Sequence, residues 1–259
     1  MRLLSLAAGT APDKRLQMIQ NAAAARFDAV GLRFDLDPPT SKELRLLGSA
    51  LDATGLVLLD IEVIRIGTHT PSMMKSIINA AGELKAQFLL VVSDINDDAE
   101  TTNSLIEISQ QAQTFGIRVV LEFMQFTGIR DMRQAFAVVE ATGDASIGVL
   151  IDPLHLTRSG GHPSQISASD QKRLPYLQWC DAPEHEPEGG LDALIHEARN
   201  TRLPTGEGDL PLHELLRAVP WVPISVEVQN PHFQAQHTSG GWASIVADHA
   251  RKTLKDLEP

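Results

Sequence analysis

The sequence predicts a single-domain α/β fold of the (β/α)8 TIM barrel class. Three observations predict it. Strand-like apolar runs alternate with amphipathic helical patterns along all 259 residues. The runs are mostly continuously apolar, as in parallel strands covered on both faces. Polar side chains stand at or just past the ends of the later runs, where such a barrel opens its site. No GxGxxG follows the first run, so a dinucleotide-binding open sheet has little support. No linker, internal repeat or low-complexity tract interrupts the pattern, and residues 1–259 read as one domain.

The elements follow in order. Residues 3–8 form the first strand. A helix over residues 13–26 opens at Pro12-Asp13 and puts Leu16, Ile19 and Ala23 on one face. Residues 28–34 (DAVGLRF) are the second strand. Residues 41–54 are a helix with Leu44, Leu47 and Leu51 at helical spacing, ended by Gly55. A third strand (56–64) and helix (71–84) come next. A fourth strand (88–92) leads to a helix over 101–115 that stops at Gly116. The fifth strand is 117–123, its helix 129–141, and the sixth strand 147–151. The pattern then loosens. A seventh strand (176–180) enters a polar stretch, 181–209, in which LDALIHEARN reads as helical. The part over 181–200 is expected to cover the pocket mouth or to meet a partner subunit. A helix at 212–218, an eighth strand at 224–228 and a helix at 242–257 complete the series.

Composition agrees with this fold. The chain is 43% hydrophobic but only 5% aromatic, so its core is expected to be Leu, Ile, Val and Ala, as suits a barrel interior. The net charge of −11 repels nucleic acid and anionic membranes at long range. Cys180 is the lone cysteine, which excludes a disulfide within the chain and suits a reducing compartment. The opening MRLLSLAAGT reads as a strand rather than a signal peptide, and no apolar stretch approaches the roughly 20 residues of a membrane span. A cytoplasmic location is the expectation.

Four polar residues carry the functional reading. Glu122 follows IRVVL, Asp152 follows IGVLI, Gln178 follows LPYL, and Glu227 follows PISV. Parallel strands would deliver all four to one pocket. Three carboxylates and a carboxamide are oxygen ligands, suited to a hard or borderline divalent cation.

The segments LEF at 121–123, IDPLH at 151–155, QWCDAP at 178–183, RLPTGEGDL at 202–210 and SVEV at 225–228 sharpen this. In their order and spacing the chain resembles the xylose isomerase-like TIM barrel family, which includes hydroxypyruvate isomerases and tagatose 3-epimerases. The resemblance covers essentially the whole chain and is strongest in its second half. It implies that Glu122, Asp152, Gln178 and Glu227 ligate one divalent metal. Gln178 stands where many relatives have His, and hydroxypyruvate isomerases share the Gln. An all-oxygen set favours Mn2+ or Mg2+, with Co2+ or Zn2+ also accommodated. The implied reaction is isomerisation or epimerisation of a sugar, sugar phosphate or hydroxy-keto-acid. Glu122 and Glu227 would pass a proton as base and acid through a metal-stabilised enediolate.

Further residues are expected around that centre. His155 would turn back toward the site as a substrate contact, and Arg202 would bind a hydroxyl, carboxylate or phosphate. Arg33 and Arg65, ending the second and third strands, would favour an acid or phosphate unless they pair with Asp35 or Glu62. His69 would face the substrate, and Asp181 would orient a ligand or a bound arginine. Glu207 and Asp209 read as loop structure, Cys180 as a buried inert thiol, and His185 as solvated.

The scaffold also serves other chemistries. A dehydratase of a keto-acid or keto-cyclitol would begin with the same proton abstraction. Dehydratases such as 3-dehydroshikimate dehydratase often show Glu-x-His on the fifth strand, whereas this chain has Glu122-Phe123-Met124. The endonuclease four branch needs further histidines for three metals, and Gln178, Ser93-Asp94 and the acidic charge speak against it. A sugar-binding barrel without catalysis would be expected to have lost a carboxylate. The implied partners are a small carbohydrate or keto-acid and, at the level of the family, a second copy of the chain.

Overall fold

The computed structural model describes residues 2–11, 14–168, 170–219 and 221–257. The Pro12-Asp13 start signal lies outside the described residues. The described residues form eight strands: β1 (Leu4–Leu6), β2 (Ala29–Arg33), β3 (Val57–Ile66), β4 (Phe88–Ser93), β5 (Arg118–Glu122), β6 (Gly148–Leu150), β7 (Leu177–Trp179) and β8 (Ile224–Val226). All pair in parallel, in the order β6-β5-β4-β3-β2-β1-β8-β7. The remaining seam is drawn together by a parallel bridge between Ile151 and Leu177, with Gln178 N–H donating to the Ile151 carbonyl at 3.1 Å. The result is a nearly closed (β/α)8 barrel.

The helices run α1 (Arg15–Ala24), α2 (Ser41–Thr54), α3 (Pro71–Glu83), α4 (Asp98–Gln113), α5 (Met132–Ala141), α6 (Pro153–Arg158), α7 (Gly190–Asn200), α8 (Leu212–Ala218), α9 (Pro231–Gln234) and α10 (Ser239–Leu257). Local chemistry sets their ends. Thr40 caps α2 by accepting from Glu43 N–H, and Gly55 closes it at φ 70°. Asp97 accepts from the Ala99 and Glu100 amides, so α4 begins three residues before the expected Thr101. Asp131 caps α5, which therefore starts at Met132 instead of residue 129. The short α6 has too little periodicity to be read from sequence, and only its Asp152-Pro153 start announces it. No helix among the described residues is long and apolar enough to cross a membrane.

The core between barrel and helices is aliphatic, as composition suggests. The barrel interior is not uniformly so. Phe88, Leu90, Val92, Val120 and Leu150 pack one side of it with Tyr176. The side formed by β1, β3, β7 and β8 is polar. Strand periodicity puts Asp60 on the face of Glu62, Tyr176 on that of Gln178, and Ser225 on that of Glu227. Ser5, Ser225 and Gln178 are direct register neighbours. Ser5, Asp60 and Ser225 are fully buried, and their side-chain oxygens find no hydrogen-bond partner in the protein. The expectation of an aliphatic interior is thus corrected for this half. At Gly31 a Cβ would stand 2.3 Å from Asp60 Oδ1, so the missing side chain makes room for the buried carboxyl.

Burial pushes the Asp60 carboxyl up to about 7, with a nearby Tyr176 hydroxyl opposing the rise and the Glu227 charge adding to it. A carboxyl raised by folding favours the native state below its ordinary value of 3.8, and that advantage is lost as pH climbs through about 7. Asp60→Asn is therefore expected to stabilise the metal-free chain by roughly 1–4 kcal/mol at pH 8 relative to its effect at pH 5. Urea unfolding at the two pH values measures this, and an equal effect at both would refute it.

Candidate metal and substrate site

The strand ends converge as the sequence suggests. Glu122 is the last residue of β5, Gln178 is central in β7, and Glu227 follows β8 by one residue. Asp152 lies two residues past β6 and caps α6, its Oδ1 accepting from Leu154 N–H at 2.7 Å. All four are buried. Glu122, Gln178 and Glu227 line a cavity of about 500 Å³ at the C-terminal mouth of the barrel. Glu227 packs against the turn after β1, where a Cβ on Gly9 would come within 2.5 Å of its Oε1.

His155 also reaches this cavity. Three residues after Asp152, it falls on the same side of α6. Glu122, Asp152 and His155 each present one ligand atom within 4.8 Å of the others. Burial lowers the His155 imidazole to about 4, so it is neutral near pH 7 and keeps a lone pair to offer.

Arg202 is the organising cation. Its guanidinium, 2% exposed, donates to Asp152 Oδ2 at 2.5 Å and lies 3.4 Å from Glu227 Oε2. It also meets Cys180 Sγ at 3.1 Å and His155 Nε2 at 3.3 Å. Burial alone would push Asp152 up, but Arg202 more than offsets this and holds it below the usual carboxylate range. Burial, reinforced by the charges of Glu227 and Asp152, drives Glu122 well above that range. The Cys180 thiol is pushed up by burial as well, which leaves it unreactive.

Among the described residues the Asp181 carboxylate makes no hydrogen bond or ion pair with Arg202. It instead folds the loop that carries the arginine, accepting from the Ala182, Gly206 and Leu210 amides at 2.9–3.0 Å. Gly208 is required there, because a Cβ would come within 2.6 Å of Asp181 Oδ1. The loop is also anchored to α10, where Thr253 Oγ1 donates to the Thr205 carbonyl at 3.0 Å and His249 Nδ1 lies 3.3 Å from the same oxygen.

The remaining expected residues divide. Arg33 lines the cavity and pairs with Glu62 at 3.1 Å, the alternative that its neighbours suggest. Arg65 stands on the cavity wall but pairs with neither Glu62 nor Asp35. Asp94 holds it through two hydrogen bonds of 3.0 and 2.6 Å. His69 serves the turn after β3, where its Nδ1 accepts from Arg65 N–H at 3.2 Å, and it does not line the cavity. His185 is exposed. Sequence reasoning did not single out Glu62 or Gln229 for the site. Glu62 lines the cavity 1% exposed, where a register irregularity between Ile61 and Ile64 brings both Glu62 and Val63 to the wall. Gln229 Nε2 donates to Glu227 Oε1 at 2.9 Å. The signal for Glu62 was present as an acidic pair, Asp60 and Glu62, two residues apart inside an apolar strand.

The residues present fit a divalent cation. Among the described residues the Glu122 carboxylate accepts no hydrogen bond, and Gln178 Oε1 is buried without a partner. Four carboxylates crowd the mouth, Glu62, Glu122, Asp152 and Glu227, facing the guanidinium groups of Arg33 and Arg202. A divalent ion would supply the charge that two guanidinium groups leave uncompensated.

Comparisons with known proteins agree with this fold. The chain is 28% identical over 161 residues to the inosose isomerase of Halalkalibacterium halodurans, covering 60% of this chain and 51% of that one. It is 26% identical over 254 residues to the 3-dehydroshikimate dehydratase of Pseudomonas aeruginosa, covering 89% of this chain and 38% of that one. The chain spans about half the length of the inosose isomerases it matches. Among solved structures, the IOLI protein with a bound zinc atom superposes with a TM-score of 0.82 at 18% identity, over 99% of this chain and 98% of that one. D-allulose 3-epimerase from Methylomonas sp. in complex with D-allulose superposes at 0.73 with 14% identity, over 99% and 97%. At these identities the superpositions establish the fold. The family model of the xylose isomerase-like TIM barrel matches residues 19–245, and the chain belongs to that family.

Proposed function

We propose that the chain is a divalent-metal-dependent isomerase or epimerase of a small polyhydroxy carbonyl compound. The observation that carries this reading is the pair of buried carboxylates, Glu122 and Glu227, on the wall of one cavity and flanked by further donors, Asp152, Gln178 and His155. Inosose isomerases and ketose epimerases among the relatives support it.

Glu122, Asp152, Gln178 and Glu227 would hold the ion, with His155 as an alternative donor. When bound, it supplies Lewis acidity toward a carbonyl oxygen of the substrate. The protein supplies the proton transfer. One glutamate takes a proton from the carbon beside the carbonyl, and the other returns one. The two are not equivalent in setting. Gln229 and Arg202 fix the Glu227 carboxylate, whereas Glu122 is held by no hydrogen bond. Neutral His155, edge-on to Phe126 at 5.7 Å, is placed to exchange a hydrogen bond with a substrate hydroxyl. Leu90, Val92, Met124 and Phe126 form an apolar wall that thins water around the reacting carbon.

A second reading, a dehydratase on the same residues, is favoured by the alignment with the 3-dehydroshikimate dehydratase over most of this chain. Met124, two residues past Glu122, lines the cavity, so an acid for the departing hydroxyl would have to come from elsewhere.

Two outcomes are expected. Elemental mass spectrometry of the purified chain should find about one divalent ion per chain, lost in Asp152→Asn, because removing one of four donors weakens the site steeply. Failure to retain any ion after soaking in Mn2+ would sink the metal-dependent reading. Glu122→Gln and Glu227→Gln should each lower turnover by roughly 10²–10⁴-fold. In deuterated water an isomerase would place solvent deuterium at the carbon in a product otherwise unchanged in formula. A product lighter by one water would mark a lyase, and wild-type turnover in both variants would end either reading.

A further inference from the structure

The wall of the cavity contributed by β2 and β3 carries polar groups that the proton transfer does not use. Arg33, Asp35 and Glu62 all line it. Each presents a buried polar atom with no hydrogen-bond partner in the protein: Arg33 Nε, Asp35 Oδ1 and Glu62 Oε1. Glu62 is the most enclosed, its side chain 1% exposed. Its other oxygen is occupied, receiving Arg33 Nη2 at 3.1 Å, so the pair is fixed in place and Oε1 is left buried without a partner at the cavity wall. Arg33 Nε and Asp35 Oδ1 stand 3.9 Å apart. That is too long for a hydrogen bond and short enough for one oxygen to bridge both.

The charge and donor pattern select the guest. One guanidinium here faces two carboxyl groups, so this wall holds no surplus positive charge for a carboxylate or phosphate. The second arginine on this wall offers no relief, because Asp94 already takes its guanidinium through two bonds. One N–H donor between two carboxylate acceptors matches a hydroxyl group, which both donates and accepts. Neighbouring hydroxyls could satisfy all three atoms together.

We propose that Arg33, Asp35 and Glu62 form a subsite for the vicinal hydroxyls of an uncharged polyhydroxy ketone, and that this wall discriminates against acidic substrates. The proposal rests on the isomerase or epimerase reading above and narrows its substrate class. It replaces the expectation from sequence that Arg33 and Arg65 mark an acid or phosphate.

The test is calorimetric binding to the full chain loaded with Mn2+. The uncharged probes are inosose and D-allulose, and the acidic ones are 3-dehydroshikimate and hydroxypyruvate. The better uncharged probe should bind at least about tenfold more tightly than either acid, as expected when one strong hydrogen bond is exchanged for a repulsion. Glu62→Gln removes one of the two carboxyl groups that face Arg33. It should shift the ratio of affinities at least about tenfold toward the acids while Mn2+ binding stays unchanged, which a merely structural role would not do. Asp35→Asn, at a half-buried loop position, gives the same readout if Glu62→Gln fails to fold. Tighter binding of either acid by the wild-type chain overturns the subsite. So does failure of both uncharged probes on metal-loaded protein, or an unshifted ratio in the folded variants. Loss of metal binding in the wild-type chain would instead overturn the reading beneath it.

Discussion

Everything at the barrel mouth depends on the ion pair between Arg202 and Asp152. Burying a carboxylate without compensation costs several kcal/mol, and this mouth buries four. A single guanidinium, itself almost wholly enclosed, contacts Asp152, Glu227, His155 and Cys180 at once. Its planar fork allows this, since five donors in a fixed geometry can serve several acceptors where a lysine would serve one point. The rest of the local architecture delivers that fork. Arg202 Nε donates to the Ala198 carbonyl at the end of α7, and Asp181 folds the loop that follows. The polar stretch after β7 therefore has a structural task at the site.

The barrel and the delivery of four polar side chains to its mouth were legible in the sequence because both rest on short-range pattern. Apolar runs of strand length, each closed by a polar residue, place Glu122, Asp152, Gln178 and Glu227 with no knowledge of packing. Helix ends were less legible. Caps such as Asp97 and Asp131 moved them by about one turn or less, since a side-chain acceptor outweighs the apolar periodicity at a terminus. Partner choice was the least legible. Nothing local to Arg65 points to Asp94, which directly follows the next strand and is brought beside it by the parallel pairing of β3 and β4. Glu62 was legible as a partner for Arg33 but not as a lining residue of the cavity, because it lies within a strand rather than at its end. Its period-two relation to Asp60 was the available clue.

The polar half of the barrel interior sets this molecule apart from a barrel filled by branched aliphatics. Ser5, Asp60 and Ser225 lie on the same inward faces as the residues of the mouth above them. Asp60 is coupled upward through charge, since Glu227 and Arg33 both act on it. The mouth and the floor beneath it are thus one electrostatic unit. Packing on the opposite side, from Phe88 to Leu150, is apolar and contributes no charge.

The tie between the Arg202 loop and α10 bears on how the chain is made. Glu62, Glu122 and Asp152 leave the ribosome well before Arg202, and Arg202 leaves before His249 and Thr253, which anchor its loop. Through most of translation the acidic strands have neither their cation nor the helix that seats it. Until then the early-made carboxyls lack this partner, so the mouth of the barrel is completed only when the late-made Arg202 and Glu227 join the acidic strands made before them.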